Sequence, residues 1–504
     1  MPREYLERVL RARVYDVAKE TPLTEAVRLS NRLQNRVLLK REDLQTVFSF
    51  KLRGAYNKII SLDEVERAKG VITASAGNHA QGVALAAQRL DVKALIVMPE
   101  TTPLIKIEAV RAFGAAIIAF GSTFDEAREH AEVLAREKGM VYVHPYDDPL
   151  VIAGQGTVAD EILRQHGPDI DVIFVPVGGG GLIAGMSAFI KSLWPHIRIV
   201  GVEPVDAASM HDALAAGERV KLDHVGIFVD GVAVRQVGEE TFRIARKCVD
   251  EIILVSTDEI CAAIKDIFED TRSITEPAGA LATAGLKRYV AREGVKNQTL
   301  IAIASGANVN FDRLRYVAER AQIGEHREGL LAVTIPERPG ALRQFCDLIG
   351  DRAITEFNYR FADSQEAHIF VGIALNDEPP DSDGIIGILS DNGYPALDMT
   401  DNEMAKIHVR YMVGGRANGG GNEVLYRFDF PERPGALLRF LTHMGERWNM
   451  SLFHYRNHGG AFGRVLIGLQ VPSDETNRLQ DFLVELGYHY VEETQNPAYQ
   501  LFLR

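Results

Sequence analysis

From about residue 37 to residue 320, short β-branched runs alternate with longer stretches of helical spacing, an order that few architectures accommodate. The runs include VLLK (37–40), GVITAS (70–75), KALIVMP (93–99), DVIFVPV (171–177), IRIVGVE (197–203) and TLIAIAS (299–305). Such alternation predicts a mostly parallel sheet with helices on both faces. Ligands of open α/β sheets gather beyond the carboxyl ends of strands. Three of the runs end there in small or polar residues: Ser75-Ala76-Gly77-Asn78, Gly178 to Gly181, and Ser305-Gly306. These loops are expected to meet in one cleft.

After residue 320 the pattern changes and the chain repeats itself. PERPGAL stands at 336–342 and again at 431–437, an offset of 95. FNYR (357–360) returns as FHYR (453–456) and HIFVGIAL (368–375) as RVLIGLQV (464–471), both at offset 96, and Gly393-Tyr394 returns as Gly487-Tyr488. Near-constant spacing over four blocks argues for two copies of one supersecondary unit. Each copy reads as strand, proline-glycine turn, helix, strand, turn, strand, helix and final strand, which suggests a βαββαβ sandwich of the ferredoxin-like kind. The expected boundaries are 1–320 for the α/β body, with a smaller subdomain at about 37–149 inserted in a larger one. The first repeat is expected at 329–413, a glycine-rich linker at 414–422 and the second repeat at 423–504.

The chain has 504 residues, too many for one ordinary core. Fifty-six Lys and Arg against 69 Asp and Glu give a formal charge of −13, which repels nucleic acid and anionic membrane. Cys248, Cys261 and Cys346 are odd in number and widely spaced, suggesting neither a disulfide framework nor a zinc site and fitting a reducing cytoplasm. The charged opening segment is unlike a secretory signal. The longest mostly apolar stretch, Val172 to Met186, is broken by the four consecutive glycines 178–181 and falls short of the roughly 20 residues that span a bilayer. No metal site, nucleic-acid partner or membrane partner is expected.

Lys51 follows apolar Phe48 and Phe50 and opens an apparent helix. An ammonium kept from water loses its proton more readily and becomes a usable nucleophile and base. With Gly178 to Gly181, whose amides can converge on a phosphate at a helix start, it suggests an enzyme that holds pyridoxal phosphate (PLP) as a Schiff base. The segment Ser75 to Gly82 closes a strand and opens a helix, whose positive end suits a substrate carboxylate. A plain N-cap by Ser75 or Asn78 is the simpler reading of that segment, and a structural role the simpler one for His79. Gly179-Gly180-Gly181-Leu182-Ile183-Ala184 also satisfies G-x-G-x-x-A, with Glu203 ending a strand about 20 residues on, so this loop alone does not choose between NAD and PLP. Ser305 could offer its hydroxyl to a pyridine nitrogen or simply cap a helix.

Taken together and in this order, SFKLRGAYNKI (49–59), SAGNHAQGVA (75–84), VGGGGLIAG (177–185), EPAGA (276–280) and SGAN (305–308) resemble the threonine dehydratase family of PLP enzymes, over essentially the whole chain. The resemblance implies a fold-type II catalytic domain of two open α/β subdomains, like tryptophan synthase β, followed by two α+β, ferredoxin-like, ACT-like regulatory subdomains. It implies that Lys51 carries the cofactor and acts as the base, Asn78 bonds the ring's 3-hydroxyl, and Gly178, Gly179, Gly180, Gly181 and Leu182 bind the phosphate. Ser305 would face the ring nitrogen and Glu276 lie near the ring. Ser75, Ala76, Gly77, Asn78 and His79 are candidates for the substrate carboxylate. The implied reaction is β-elimination of water from L-threonine, giving 2-oxobutanoate and ammonia at the head of isoleucine biosynthesis. Serine would be a poorer substrate, since one methyl in an apolar pocket is worth about 1–3 kcal/mol.

The resemblance further implies isoleucine as inhibitor, valine as activator and a homotetramer. Arg360, Leu452, Phe453, Tyr455 and Arg456 are candidates for lining the effector pocket. Three alternatives stay open on sequence: a synthase or racemase on the same scaffold, an NAD-dependent oxidoreductase with an amino-acid-sensing tail, and a catalytically dead sensor.

Overall fold

The computed structural model describes residues 2–499 apart from 101, 103, 122, 227, 312, 326, 361–364, 376–381, 403, 404, 407, 408, 412–421, 432–435, 446, 457–461, 497 and 498. The expected glycine-rich linker and the Pro434-Gly435 turn therefore lie outside the described residues, except for Asn422. The chain forms two compact units, Met1–Gly324 and Glu325–Arg504.

In the first unit each of the six β-branched runs forms a strand. A six-stranded sheet takes the order Leu23–Glu25, Arg36–Arg41, Thr299–Ala304, Val172–Pro176, Arg198–Pro204, Glu251–Val255. Only its first pair is antiparallel. A second, all-parallel sheet has the order Ala116–Ala119, Ala94–Met98, Val71–Ala74, Val141–Tyr142. The strand Arg36–Arg41 was expected to open the smaller subdomain; it belongs instead to the larger sheet, paired with Thr299–Ala304. A short apolar run specifies a buried strand but not which sheet receives it.

Local signals set many helix ends. Capping boxes start the helices after Asp63, Thr123 and Ser256, where the Glu three residues on reaches back to the cap. The helices Lys51–Ile60 and Pro149–His166 cross backbone to backbone. A Cβ on Gly154 would stand 2.7 Å from Arg53 O, and one on Gly54 2.7 Å from Val151 O, so only glycine permits this approach.

Beneath the crossing lies a buried ion quartet. Arg53 donates to both oxygens of Glu42 (2.8 Å each) and to Glu161 Oε1 (2.6 Å), and Lys40 donates to Glu161 Oε2 (2.6 Å), all four side chains without exposure. Two cations and two carboxylates cancel, which is the condition under which buried charge is tolerated.

The second unit holds the two repeats, each a βαββαβ unit as its spacing predicts, and the two share one eight-stranded antiparallel sheet. Its order is Ala396–Asp398, Glu328–Pro336, Glu366–Ala374, Ile354–Arg360, Asn449–Arg456, Phe462–Gln470, Glu423–Pro431, His489–Glu492. The junction pairs Phe357 with Tyr455, Asn358 with His454 and Tyr359 with Phe453. At the repeat offset of 96, Asn358 corresponds to His454 and Phe357 to Phe453, so the pairing inverts about the Asn358–His454 position as a local two-fold axis. Rings of Phe357 and Phe453 meet edge to face across it at 5.0 Å. One apolar cluster runs under both repeats, from Phe345 and Ile385 to Phe440 and Phe482.

Candidate active site

Lys51 is the first residue of its helix, and the chain before it is stitched to the carboxyl end of the strand Thr299–Ala304. Phe50 N donates to Ser305 O (3.3 Å), Ala307 N donates to Phe48 O (2.8 Å), and Ser49 bridges Gly306. Phe48 is held at φ +54°, a conformation that a bulky residue keeps only where its surroundings over-determine it. The Lys51 Nζ donates to Pro145 O at 3.2 Å. Burial pushes its pKa down to about 8, with the Glu276 carboxylate holding it up. The side chain as a whole keeps partial access to solvent, so a crowded amine stands in a reachable cleft.

The loop after Val71–Ala74 leads into the helix Asn78–Arg89, whose N-cap is Gly77 with no side chain capping it. The simpler reading of Ser75 or Asn78 as N-cap does not hold, and the helix presents open backbone N–H groups. Asn78 Nδ2 donates to Glu276 Oε1 (2.6 Å) and Asn308 Nδ2 donates to Asn78 Oδ1 (2.7 Å). Glu276, 5% exposed, is pushed up to about 7 by burial, against the Asn78 bond. Its own N–H donates to Gly306 O (3.2 Å). His79 is buried, its Nε2 bonded to Val143 O (3.0 Å), and burial with the nearby Lys51 charge pushes it down to about 3. It is therefore neutral.

Gly178 to Gly181 end in the helix Gly181–Leu193. Gly180 sits at φ +93°, and Cβ atoms on Gly178 and Gly179 would stand 2.9 Å from Val232 Cα and 2.2 Å from the Tyr146 ring. Supports from far along the chain hold this loop. Thr241 Oγ1 donates to Gly179 O (2.7 Å), and the Asp147 carboxylate accepts from the amides of Glu239, Glu240 and Thr241 (2.8–3.2 Å). Sequence reasoning missed Tyr146, Asp147, Thr241 and Asn308; Asn308 alone had a signal, as the last letter of SGAN.

Ser305 is 3% exposed and its Oγ donates to Ala278 O (3.1 Å). It caps no helix, since the next begins at Arg313. Leu182 is buried in the first turn after the glycines. Glu203, the acid that a dinucleotide fingerprint needs free, instead accepts from Met210 N (2.9 Å) and His211 N (2.8 Å), and burial pushes it up to about 8. It is engaged at a helix start and is not offered to a ribose.

In the regulatory repeats, Arg360 is paired with buried Glu423 at 2.6 Å. Leu452 and Phe453 are core residues, and Tyr455 is partly buried. Arg456 belongs to the strand, its side chain outside the described residues. A groove in this unit is bounded by Glu337, Gly340, Tyr359, Met444, Trp448 and Asn449, among others. There Tyr359 Oη and Asn449 Nδ2 donate to Glu337 (2.8 and 3.1 Å).

The residues of the cleft fit PLP. Ser49 Oγ and His79 Nδ1 are buried polar atoms without partners, the glycine loop leads into the first turn of a helix that no side chain caps, where backbone N–H groups suit a phosphate, and Lys51 is a buried amine of lowered pKa. Among the described residues no group of His, Cys, Asp or Glu could hold a metal ion, and no helix is long and apolar enough to cross a membrane. Parallel sheets with this lysine and this glycine turn define a PLP-dependent enzyme of fold type II.

Two family models match: "pyridoxal-phosphate dependent enzyme" over residues 14–306, and "C-terminal regulatory domain of threonine dehydratase" over 319–409 and 414–503. The chain is 56% identical over 503 residues to the biosynthetic L-threonine dehydratase of Burkholderia multivorans, covering 99% of each. Among solved structures, the processed threonine deaminase isoform 2 of Solanum lycopersicum matches with TM-score 0.63 at 53% identity, covering 64% of this chain and 88% of that one. A serine racemase of Dictyostelium discoideum matches with TM-score 0.57 at 34% identity, covering 61% and 99%. This chain belongs to the biosynthetic threonine dehydratase family, as a PLP-dependent lyase with a C-terminal regulatory domain.

Proposed function

We propose that this chain converts L-threonine to 2-oxobutanoate and ammonia, the first committed step toward isoleucine. The observation that carries the proposal is Lys51: an amine whose pKa lies near 8, between the open helix start at Asn78 and the glycine loop. PLP, when bound, supplies the electron sink that makes loss of the α-proton feasible.

In this reading Lys51 holds the cofactor and, once free, accepts the α-proton, for which a pKa near the working pH is suited. Gly178 to Gly181 and Leu182 hold the phosphate through their amides, Ser305 faces the ring nitrogen, and Asn78 the ring oxygen. The N–H groups of Ser75 to His79 hold the substrate carboxylate at the helix start. Glu276 keeps its proton into the neutral range and completes the polar surround. The β-hydroxyl leaves as water, and a water returned to the product releases ammonia, so threonine becomes 2-oxobutanoate plus ammonia without an external oxidant. Serine, one methyl smaller, reacts less well.

The regulatory unit binds isoleucine as inhibitor, with valine opposing it. The groove at Glu337 supports this: a carboxylate for an ammonium, the turn at Gly340 beside it, and an apolar wall of Leu441, Met444 and Trp448. Inhibition requires isoleucine to favour the low-activity state, with coupling of about 1–3 kcal/mol. Arg360, Leu452, Phe453, Tyr455 and Arg456, on the strands that join the repeats, would transmit the effector's presence. A cytoplasmic homotetramer is the expected working form.

The deciding experiment is a keto-acid assay on threonine, with and without isoleucine, run beside Lys51→Ala. Loss of product with folding intact is expected; unchanged turnover in the variant overturns the assignment.

A further inference from the structure

The orientation of the Asn78 amide is set by a chain of forced choices that begins at a backbone carbonyl. Asn308 Nδ2 lies 2.8 Å from Val47 O and 2.7 Å from Asn78 Oδ1. A carbonyl oxygen only accepts, so the Asn308 atom facing Val47 must be the amide nitrogen. That nitrogen has two hydrogens, and the second points at Asn78, whose facing atom must therefore be its oxygen. With Oδ1 turned to Asn308, Asn78 Nδ2 turns the other way, donating one hydrogen to Glu276 Oε1 at 2.6 Å. Its other hydrogen is left for an acceptor in the cleft. Val47 is itself buried, 1% exposed, and its neighbour Phe48 donates to Gln45 O and accepts from Ala307 N.

We propose that Asn308 is a positioning residue: taking the Val47 carbonyl as its reference, it turns the Asn78 amide so that an N–H, and never a carbonyl oxygen, meets the oxygen on the cofactor ring. This rests on the reading that Asn78 contacts that oxygen. An amide turned the other way would set two acceptors against each other, losing a hydrogen bond and adding repulsion. Asparagine is required at 308 because both hydrogens of one nitrogen are used. Aspartate keeps the volume but presents only acceptors, so it should turn the Asn78 amide the other way and do at least as much harm as alanine.

The test uses the full chain and two readouts besides turnover: the dissociation constant for PLP, and the absorption band of the bound cofactor. Asn308→Ala and Asn308→Asp are expected to weaken PLP binding at least about fivefold, the size of one lost hydrogen bond, and to shift the band, in addition to the apo-protein stability lost when the Val47 carbonyl is left unpaired. Asn78→Ala is expected to do the same to binding and band, and adding Asn308→Ala to it to change neither further, because the relay has lost its target.

The proposal is overturned if the Asn308 variants keep wild-type affinity and band, or if their effect persists in full on the Asn78→Ala background. It also falls if the variants lose apo-protein stability while the band of the bound cofactor stays where it is in the wild type, which marks a merely structural asparagine. Should Asn308→Ala fail to fold, Asn308→Ser carries the same comparison. If Asn78→Ala itself binds PLP normally, the underlying reading of Asn78 falls along with the relay; if only the Asn308 variants bind normally, the relay falls alone.

Discussion

The two units bury charge in opposite ways. In the catalytic cleft burial works against the ionised forms: Lys51 is pushed down to about 8 and Glu276 up to about 7. In the regulatory sheet each buried carboxylate meets an arginine, Arg360 with Glu423 at 2.6 Å and Arg410 with Glu356 at 2.7 Å. Glu328 and Glu423 begin equivalent strands of the two repeats, and each accepts from a hydroxyl at an equivalent position, Thr355 and Ser451. Matched charges make a frame, whereas incompletely matched ones stay available to a ligand, and such perturbed groups mark reactive sites. The Lys40–Glu161–Arg53–Glu42 quartet is the catalytic unit's own frame, placed two residues from Lys51.

The comparison breaks most severely at Lys51. Lys51→Ala is expected to lower kcat by at least ~10³-fold, as loss of the positioned base and covalent anchor should, with the melting temperature retained. Turnover within tenfold of wild type would remove the cleft from its role.

Next come the frames. Arg53→Ala leaves Glu42 and Glu161 buried with only Lys40 opposing them, and Arg360→Ala leaves Glu423 without its arginine. Each is expected to destabilise its own unit by about 3–5 kcal/mol, read as a lowered midpoint in thermal or denaturant unfolding. Function should separate them. The Arg53 variant loses turnover with stability, because the helix it anchors begins at Lys51; the Arg360 variant keeps basal turnover and loses inhibition by isoleucine. Equal damage to both properties in both variants would erase the distinction between the units.

What the sequence made legible follows the same division. The strands and the helix starts at Lys51 and at the glycine turn are encoded within a few residues, and each was readable. The repeat offset announced two βαββαβ copies, but their fusion into one sheet depends on Ile354–Arg360 and Asn449–Arg456 both being open edges after folding, which no local pattern records. For the same reason the effector candidates Arg360, Leu452 and Phe453 turned out to be junction and core residues. Thr241 bonds Gly179 across a gap of 62 positions, and Asp147 holds the amide of Glu239 beside it across a gap of 92, and a spacing so long leaves no period to detect. Glu203 shows the reverse failure, a motif match whose acid is engaged at a helix start.

A smaller effect comes from pH. Glu276 in the folded apo-protein titrates near 7 instead of its ordinary 4.5, so its neutral form is favoured by folding. Its stabilising contribution is fully present below pH 4.5 and is lost as pH rises through 7, by up to about 3 kcal/mol. Lys51, pushed down from 10.5 to about 8, contributes stability above 10.5 that is lost as pH falls through 8. The apo-protein should therefore be least stable near pH 7–8. Glu276→Gln should flatten the acid side of that profile, leaving the alkaline limb in place. Parallel profiles for the variant and the wild type would show that the cleft is matched internally after all.

The smallest expected effect isolates one support of the phosphate loop. Thr241 Oγ1 donates to Gly179 O at 2.7 Å and has the Gly238 carbonyl at 3.3 Å. Thr241→Val keeps the shape and removes the donor, leaving Gly179 O with only the longer bond from Gly238 N, 3.3 Å. One neutral hydrogen bond is worth about 1 kcal/mol, so PLP should bind roughly fivefold more weakly, while Thr241→Ser, which keeps the hydroxyl, should bind it as the wild type does. Inhibition by isoleucine should be the same in both, because the regulatory frame is untouched. If valine and serine at this position hold PLP equally well, the glycine turn is shaped by its own backbone and by Tyr146, and the long-range bond from Thr241 is incidental to it.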